Sequence, residues 1–73
     1  NGVLVFLDRT LDDVAAEFNR YNNRKLIVAD EKAAQTRIAG TFRADNIDAF
    51  VNTAHRVLGL KVEKRGQDIA ISH

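Results

Sequence analysis

The chain has 73 residues, of which 45% are hydrophobic and 29% are charged, and its formal net charge is +1. This length predicts one small domain with little room for a deep pocket, and the near balance of charges gives no strong field for nucleic acid or an anionic membrane. Cysteine is absent, which excludes disulfides and thiolate chemistry within the chain. Methionine is absent too, so we expect residues 1–73 to be a single domain from a longer protein.

The first predicted elements are a strand and an amphipathic helix. Val3 to Leu7 is a continuous apolar run, typical of a strand buried on both faces, and Asp8 to Thr10 is expected to end it. Thr10 fits the N-cap of a helix over 11–21, with Asp13 as an acidic capping partner. The apolar positions of this helix step by three and four, which predicts one face toward a core. They are Leu11, Val14, Ala15, Phe18 and either Tyr21 or Asn22.

Two further strands follow, separated by a polar connection. Asn22 and Asn23 are expected to stop the helix, because asparagine tolerates the left-handed conformation. Leu26 to Ala29 then predicts a buried central strand, and the connection Asp30 to Thr36 has room for one helical turn. Arg37 to Arg43 alternates in polarity as a half-buried strand does.

The last third predicts a helix and a β-hairpin. Asp45 or Asn46 is expected to cap a helix that runs to about Leu58 and ends through Gly59. Its predicted core residues are Ile47, Phe50, Val51, Ala54, Val57 and Leu58. Strands over 60–64 and 68–72 flank the turn Lys64-Arg65-Gly66-Gln67. Earlier in the chain, Gly40 is expected to admit a close neighbour.

The two halves of the chain repeat one pattern. Phe6, Leu11, Asp12 and Val14 recur thirty-six residues later as Phe42, Ile47, Asp48 and Phe50. The repeat predicts two βαβ-like motifs in the order β-α-β-β-α-β-β, an α+β fold with Phe6, Phe18, Phe42 and Phe50 in its core.

The residues that catalysis would need do not converge in this pattern. His55 falls on the outer side of the second helix without further ligands at helical spacing, and is expected to be an ordinary solvated residue. The adjacent carboxylates Asp12 and Asp13 point about 100° apart on a helix and are explained by its first turn. Ser72 is the only serine in the sequence, the threonines have cap, loop, strand or helix-surface explanations, and the four glycines are too scattered for a phosphate loop. We therefore expect a protein that is not an enzyme and has no metal or cofactor.

A basic patch is the remaining chemical candidate. Arg20, Arg24, Lys25 and Arg37, with Tyr21 beside them, resemble in composition the patches by which small α+β domains bind RNA. The acidic residues nearly equal the basic ones, and no aromatic pair occupies alternating exposed strand positions. Protein binding is therefore favoured over nucleic-acid binding.

Three segments carry a resemblance to a known family. They are the run Leu11 to Asn22 with its Phe-Asn-Arg-Tyr-Asn element, the strand Leu26-Ile27-Val28, and Arg37 to Phe42 with Ile-Ala-Gly-Thr-Phe. Together they resemble the C-terminal periplasmic region of FecR-type sigma-factor regulators. The opening Gly2 to Phe6 and the closing Gly59 to Val62 also fit, so the resemblance covers essentially the whole chain.

The resemblance implies a fold and a function. The fold is that of secretin and TonB short N-terminal domains, with two helices packed between small two- and three-stranded sheets. The parent would be an inner-membrane protein, with this domain in the periplasm and another segment contacting an extracytoplasmic-function sigma factor. The implied partner is the N-terminal signalling domain of an outer-membrane TonB-dependent transducer, in a pathway that often serves siderophore uptake. No nucleic acid or small-molecule substrate is implied.

Two alternatives share this fold, and a third lies outside it. The first two are the transducer's own signalling domain and the N-terminal domain of a secretin, whose second helix usually leads into a Gly-Thr-Gly-Leu turn. Here that place reads His55-Arg56-Val57-Leu58-Gly59-Leu60, which favours the regulator. The third alternative is a small ligand- or RNA-binding module.

The expected partner-binding residues are Arg20, Tyr21 and Arg24, because tyrosine and arginine are enriched among interface hot spots. Free strand edges or an outer sheet face are further places for a partner to dock. The structural alternative is that Tyr21 closes the core with its hydroxyl at the rim, while the two arginines only complement the end of the helix.

Overall fold

In the part of the chain that the structure describes, five strands form two small sheets. Three helices connect the first four strands, and the two longer ones pack against the sheets. The computed structural model describes residues 2–73. The elements are β1 (Val3–Thr10), α1 (Leu11–Tyr21), β2 (Leu26–Val28), α2 (Glu31–Ala34), β3 (Arg37–Arg43), α3 (Ile47–Arg56), β4 (Lys61–Arg65) and β5 (Asp68–Ser72). The predicted α+β class is confirmed, and the connection after β2 does contain one helical turn, α2.

The repeat seen in the sequence is also a repeat in space. β1 and β3, the first strands of the two halves, pair antiparallel in a two-stranded sheet. β2 and β4, which follow the long helices, lie in the other sheet on either side of β5. β5 pairs parallel with β2 and antiparallel with β4. Each long helix therefore connects one sheet to the other, so the βαβ-like motifs span two sheets.

The predicted aromatic core is confirmed. Phe18 and Phe50 are fully buried with their ring centroids 5.0 Å apart. Phe42 packs on Phe50 edge to face at 5.1 Å, and the Phe6 centroid lies 6.2 Å from that of Phe18. Separations of about 4.5–7 Å are those of favourable aromatic pairs. The four rings come from β1, α1, β3 and α3, so this cluster joins the two halves.

β1 differs from its prediction in two ways. It continues through Asp8 to Thr10, because a bulge at Asp8 shifts the register between Leu7 and Arg9 and lets the ladder resume. The predicted burial on both faces is wrong, since Val3, Val5 and Leu7 are 48%, 60% and 81% exposed. One face of this two-stranded sheet packs on the core, and no other element within residues 2–73 covers the opposite face.

The second predicted strand is also placed differently. β2 ends at Val28 and is an edge strand, whereas the central strand is β5, whose Ile69 and Ile71 are buried. Strand order depends on which chain segment inserts between β2 and β4. The apolar composition of both strands is compatible with either place.

The helix ends show which capping predictions were right. Thr10 accepts from the Asp13 N–H at 3.2 Å, and Asn46, rather than Asp45, accepts from the Ala49 N–H at 3.1 Å. α1 does stop before Asn22 and Asn23, as predicted, but the left-handed mechanism is wrong, because Asn22 has extended backbone (φ −130°, ψ 143°) and Asn23 has no positive φ either. The Asn22 side-chain amide instead donates to the Phe18 carbonyl at 2.9 Å.

The end of α3 and the hairpin lie close to their predicted places. α3 ends at Arg56, and Val57, predicted to face the core, is 74% exposed. Gly59 has a φ of +70°, which reverses the chain so that the Leu60 N–H donates to the Ala54 carbonyl. The exposed His55 ring also closes this end, with Nδ1 2.9 Å from the Leu60 carbonyl oxygen. The hairpin strands are 61–65 and 68–72.

Gly40 has the close neighbour that was predicted for it. A Cβ at this position would lie 3.2 Å from Cε2 of Phe42, tighter than most Cβ contacts. Glycine therefore leaves room for the Phe42 ring to fold back along its own strand toward the aromatic cluster.

Candidate protein-interaction surface

The predicted partner-binding residues lie at and just beyond the C-terminal end of α1. We call Arg20, Tyr21 and Arg24 the helix-end surface. Tyr21 is 56% exposed, and the guanidinium carbon of Arg20 lies 5.9 Å from the centre of its ring. Arg20 also approaches the Glu17 carboxylate at 3.5 Å. A cation over an aromatic face is a favourable contact, so these two side chains form one exposed unit.

Two asparagines hold that unit in place. The Asn19 side chain exchanges two hydrogen bonds with the main chain of Leu26, at 2.8 and 3.1 Å. The Asn22 amide donates to the carbonyls of Phe18 and Ala44, and so ties the end of α1 to the segment after β3. In the run Asn19-Arg20-Tyr21-Asn22, the asparagines therefore anchor the chain while the two residues between them face solvent. Such a fixed surface loses little conformational entropy on binding.

Arg24 has a different environment from the other two residues. Its Nη1 lies 3.0 Å from Oδ1 of Asp48, in the first turn of α3, and its Nε donates to the Gln67 carbonyl at 3.2 Å. These contacts join the approach to β2, the start of α3 and the hairpin turn. Arg24 therefore borders the helix-end surface and also carries a structural role. Its partners are 24 and 43 residues away in sequence, so no local pattern indicates them.

The structural alternative for these residues fits only in part. Tyr21 does not close the core, because more than half of its side chain is exposed. The end of α1 is instead complemented by Lys25, whose Nζ donates to the carbonyls of Asn19 and Asn22 at 2.9 and 2.6 Å. Arg20 is thus free of that task, and its contacts are with Glu17 and Tyr21.

A second exposed area lies on β1, which the sequence predicted to be buried on both faces; an outer sheet face was expected as a docking place but had no predicted location. The solvent side of the β1–β3 sheet, which we call the outer face, consists of three cross-strand pairs, and its residues are all exposed. They are Val3 with Arg43, Val5 with Thr41, and Leu7 with Ala39. The apolar run in β1 favoured burial because composition alone does not reveal that a sheet lacks a covering layer.

The buried residues within 2–73 are all hydrophobic. Across residues 2–73 no pocket is found, and no group of three or more His, Asp or Glu side chains is placed to hold a metal ion. The pKa of Asp30 lies below its ordinary value, mainly because the Ala33 N–H donates to the carboxylate and also because the His73 N–H does so. Asp30 is the N-cap of α2, so capping accounts for this shift.

None of the helices described is both long and apolar enough to cross a lipid bilayer.

Two solved structures have closely similar folds. One is a chain of the Salmonella SPI-1 type III secretion injectisome basal body, which comprises InvG, PrgH and PrgK. It has a TM-score of 0.80 and 26% identity over 94% of this chain. The other is a protein assigned as an anti-sigma factor from Parabacteroides distasonis ATCC 8503, with a TM-score of 0.79 and 18% identity over 97% of this chain. The matched region is 14% of the first protein's chain and 33% of the second's.

No curated protein sequence gives a significant match. The family comparison does: residues 3–71 match the model described as FecR, C-terminal. This match extends from the first residue of β1 to within one residue of the end of β5, and so covers every helix and strand. The chain belongs to the FecR C-terminal family.

Proposed function

We propose that this domain is the protein-binding module of a transmembrane sigma-factor regulator. It receives a signal from the N-terminal signalling domain of an outer-membrane TonB-dependent transducer. The rest of the regulator passes the signal to an extracytoplasmic-function sigma factor in the cytoplasm. The domain itself lies in the periplasm and belongs to an inner-membrane protein, and iron or siderophore uptake is the process served.

The observation that carries this proposal is the family match over residues 3–71. FecR proteins have a regulatory signalling role, and the fold shared with the anti-sigma factor from Parabacteroides distasonis is consistent with it. The helix-end surface supports a binding role in physical terms. It presents an exposed tyrosine and arginine on a backbone fixed by Asn19 and Asn22, and these residue types dominate the energetics of many interfaces.

The test is calorimetric titration of the 73-residue chain with the purified signalling domain of a TonB-dependent transducer from the same organism. We expect Arg20→Glu and Tyr21→Ala each to weaken binding about tenfold or more, as loss of a hot-spot contact does. The matched control is Lys32→Glu. It makes the same charge reversal at an exposed position of α2. The segment just after α2 lies at the opposite end of α1, where the Leu11 N–H donates to the Thr36 carbonyl at 2.9 Å.

Unchanged affinity in both helix-end variants, with circular dichroism showing an intact fold, would contradict the role of this surface. Failure of the wild-type chain to bind signalling domains at all would contradict the proposed partner. The variant Arg24→Glu must be tested for stability as well as binding, because it would also break the contact with Asp48. Its effect on binding counts only if the melting temperature is retained.

The second candidate is a domain of a secretion-system assembly, such as the N-terminal domain of a secretin. The observation that favours it is the TM-score of 0.80 to the injectisome basal body chain at 26% identity. The parent sequence separates the two candidates. A lone membrane span and a short cytoplasmic head before this domain support the regulator, whereas a β-barrel following it supports a transducer or secretin.

A further inference from the structure

The open strand edges of the two sheets are not equally protected against pairing. Among the residues that the structure describes, each outer strand has one edge without a partner strand. These strands are β1 and β3 in one sheet and β2 and β4 in the other. β4 reads Lys-Val-Glu-Lys-Arg, β3 begins and ends with arginine, and β2 has only three residues. Charged and short edges resist strand addition. β1 is different, because Val3 to Leu7 carries no charge at all.

The register of β1 shows which main-chain groups face that open edge. The Ala44 N–H donates to the Gly2 carbonyl at 2.7 Å, in register with the pairs Leu4–Phe42 and Phe6–Gly40. Hydrogen-bonded pairs alternate along an antiparallel ladder, so the even-numbered residues of this segment bond to β3. The N–H and C=O groups of Val3, Val5 and Leu7 therefore point away from β3, toward the open edge.

We propose that β1 pairs antiparallel with β1 of a second copy of this chain, about a two-fold axis at Val5. The axis places Val5 opposite Val5 of the second copy, and Val3 opposite its Leu7. Each of these pairs has its main-chain groups turned to the shared edge, so about six hydrogen bonds can form, two for each pair. The β1–β3 sheet of one copy and that of the other then become one four-stranded sheet in the order β3-β1-β1-β3.

The charges at the ends of this segment are complementary in that arrangement. Gly2 lies opposite Asp8 of the second copy, and Arg43 is the cross-strand neighbour of Val3. Arg43 is then two strand spacings, about 9.6 Å, from Leu7 of the second copy, the residue that precedes Asp8. Gly2 has no side chain to obstruct the approach. The symmetry produces this arginine–aspartate approach twice, and within the paired segments Gly2 to Asp8 no like charges lie opposite each other.

The ion pairs that Arg43 and Asp8 make within one copy do not prevent them from approaching each other across the interface. Arg43 now approaches Asp45 at 3.5 Å, and Asp8 approaches Arg37 at 3.7 Å, with all four side chains at least 65% exposed. Exposed pairs of this kind contribute little. The outer face also becomes continuous across the axis, since Val3, Val5 and Leu7 of the two copies lie side by side. The bulge at Asp8 ends the regular segment, which limits the pairing to Val3 to Leu7.

The test is sedimentation equilibrium of the 73-residue chain, with concentrations up to about 1 mM because small interfaces are weak. We expect wild type to approach twice the 8.2 kDa monomer mass. Val5→Lys and Val5→Glu should each be monomeric, because the axis places like charges directly opposite each other. An equimolar mixture of the two variants should dimerise at least tenfold more tightly than either alone.

The matched control is Thr41→Lys, which adds the same charge to the outer face on β3, one strand away from the axis. It should dimerise like wild type. Monomeric wild type at every concentration would overturn the proposal, and so would a Val5→Lys variant that still dimerises. A mixture of the two Val5 variants that stays monomeric, with each folded by circular dichroism, would show that the axis does not pass through Val5.

Discussion

At the scale of single residues, side chains that anchor the fold alternate with side chains that face solvent, even within a run of four residues. Asn19 and Asn22 bond to the main chain of other elements, whereas Arg20 and Tyr21 between them face solvent. The run Asn-Arg-Tyr-Asn, which carries part of the family resemblance, therefore contains two anchoring residues and two exposed ones, and only the structure shows which are which.

Asp8 is the residue whose backbone is most constrained. Its φ is +95°, a region that β-branched residues rarely adopt, and it forms the bulge in β1. We expect Asp8→Asn to be nearly neutral, because asparagine tolerates positive φ. Asp8→Val should lower the free energy of unfolding by about 1–2 kcal/mol. Urea unfolding of the two variants measures this difference, and equal stability would show that the bulge is absent or relaxes freely.

Local sequence patterns predict the capping roles of Thr10 and Asn46 but not the bulge at Asp8. A cap needs only a side-chain oxygen and a nearby N–H on the following turn, so sequence spacing reveals it. A bulge depends on the register between β1 and β3, which are some thirty residues apart. The polar run Asp8-Arg9-Thr10 was therefore predicted to end a strand that in fact continues.

At the scale of elements, the helices were more predictable than the sheets. The bounds of α1 match the prediction because its apolar stripe and cap are both local. The outer face of β1 and the central place of β5 were not predicted. Both depend on which layer or strand lies alongside, and one strand's composition does not contain that information. The sequence predicted that Arg20, Tyr21 and Arg24 lie at the end of α1. It did not predict the contacts of Arg24 with Asp48 and Gln67.

The cap of α2 also joins that helix to the end of β5. The Asp30 carboxylate accepts from the Ala33 N–H at 2.8 Å and from the His73 N–H at 3.0 Å. These bonds lower its folded pKa below the ordinary 3.8, so the folded state favours the carboxylate. The resulting stability is fully present above the unfolded pKa and is lost as the pH falls through the folded pKa.

We therefore expect Asp30→Asn to melt at a lower temperature than wild type at neutral pH. The difference should shrink as the pH is lowered below about 3.8. Thermal unfolding followed by circular dichroism across this range measures it. Asp45→Asn is the control, because that carboxylate has a single exposed ion pair. A difference between wild type and Asp30→Asn that stays constant with pH would contradict the role of the charged carboxylate.

At the scale of the whole molecule, one aromatic cluster joins the duplicated halves. Domains of this size have a total stability of about 4–11 kcal/mol, at 0.05–0.15 kcal/mol per residue. Phe18 is fully buried and lies beside Phe6, Phe42 and Phe50. Losing a ring that both halves share therefore threatens the entire fold.

Phe18→Ala should lower the free energy of unfolding by about 3–5 kcal/mol, which is enough to leave much of the chain unfolded at room temperature. Val57→Ala removes a 74% exposed side chain and should change it by about 0.5 kcal/mol or less. Denaturant titration of both variants makes the comparison. A Phe18→Ala midpoint close to that of wild type would mean that the cluster does not hold the two halves together.

The central claim is that this duplicated domain works by contacting another protein. The most direct measurement is thermal shift of the 73-residue chain with two kinds of additive: a purified transducer signalling domain, and a panel of metal ions and small metabolites. Binding to the native state raises the melting temperature in a saturable way. We predict saturable stabilisation by the signalling domain and none by the panel. Stabilisation by a metal or metabolite, with no response to the signalling domain, would contradict the claim.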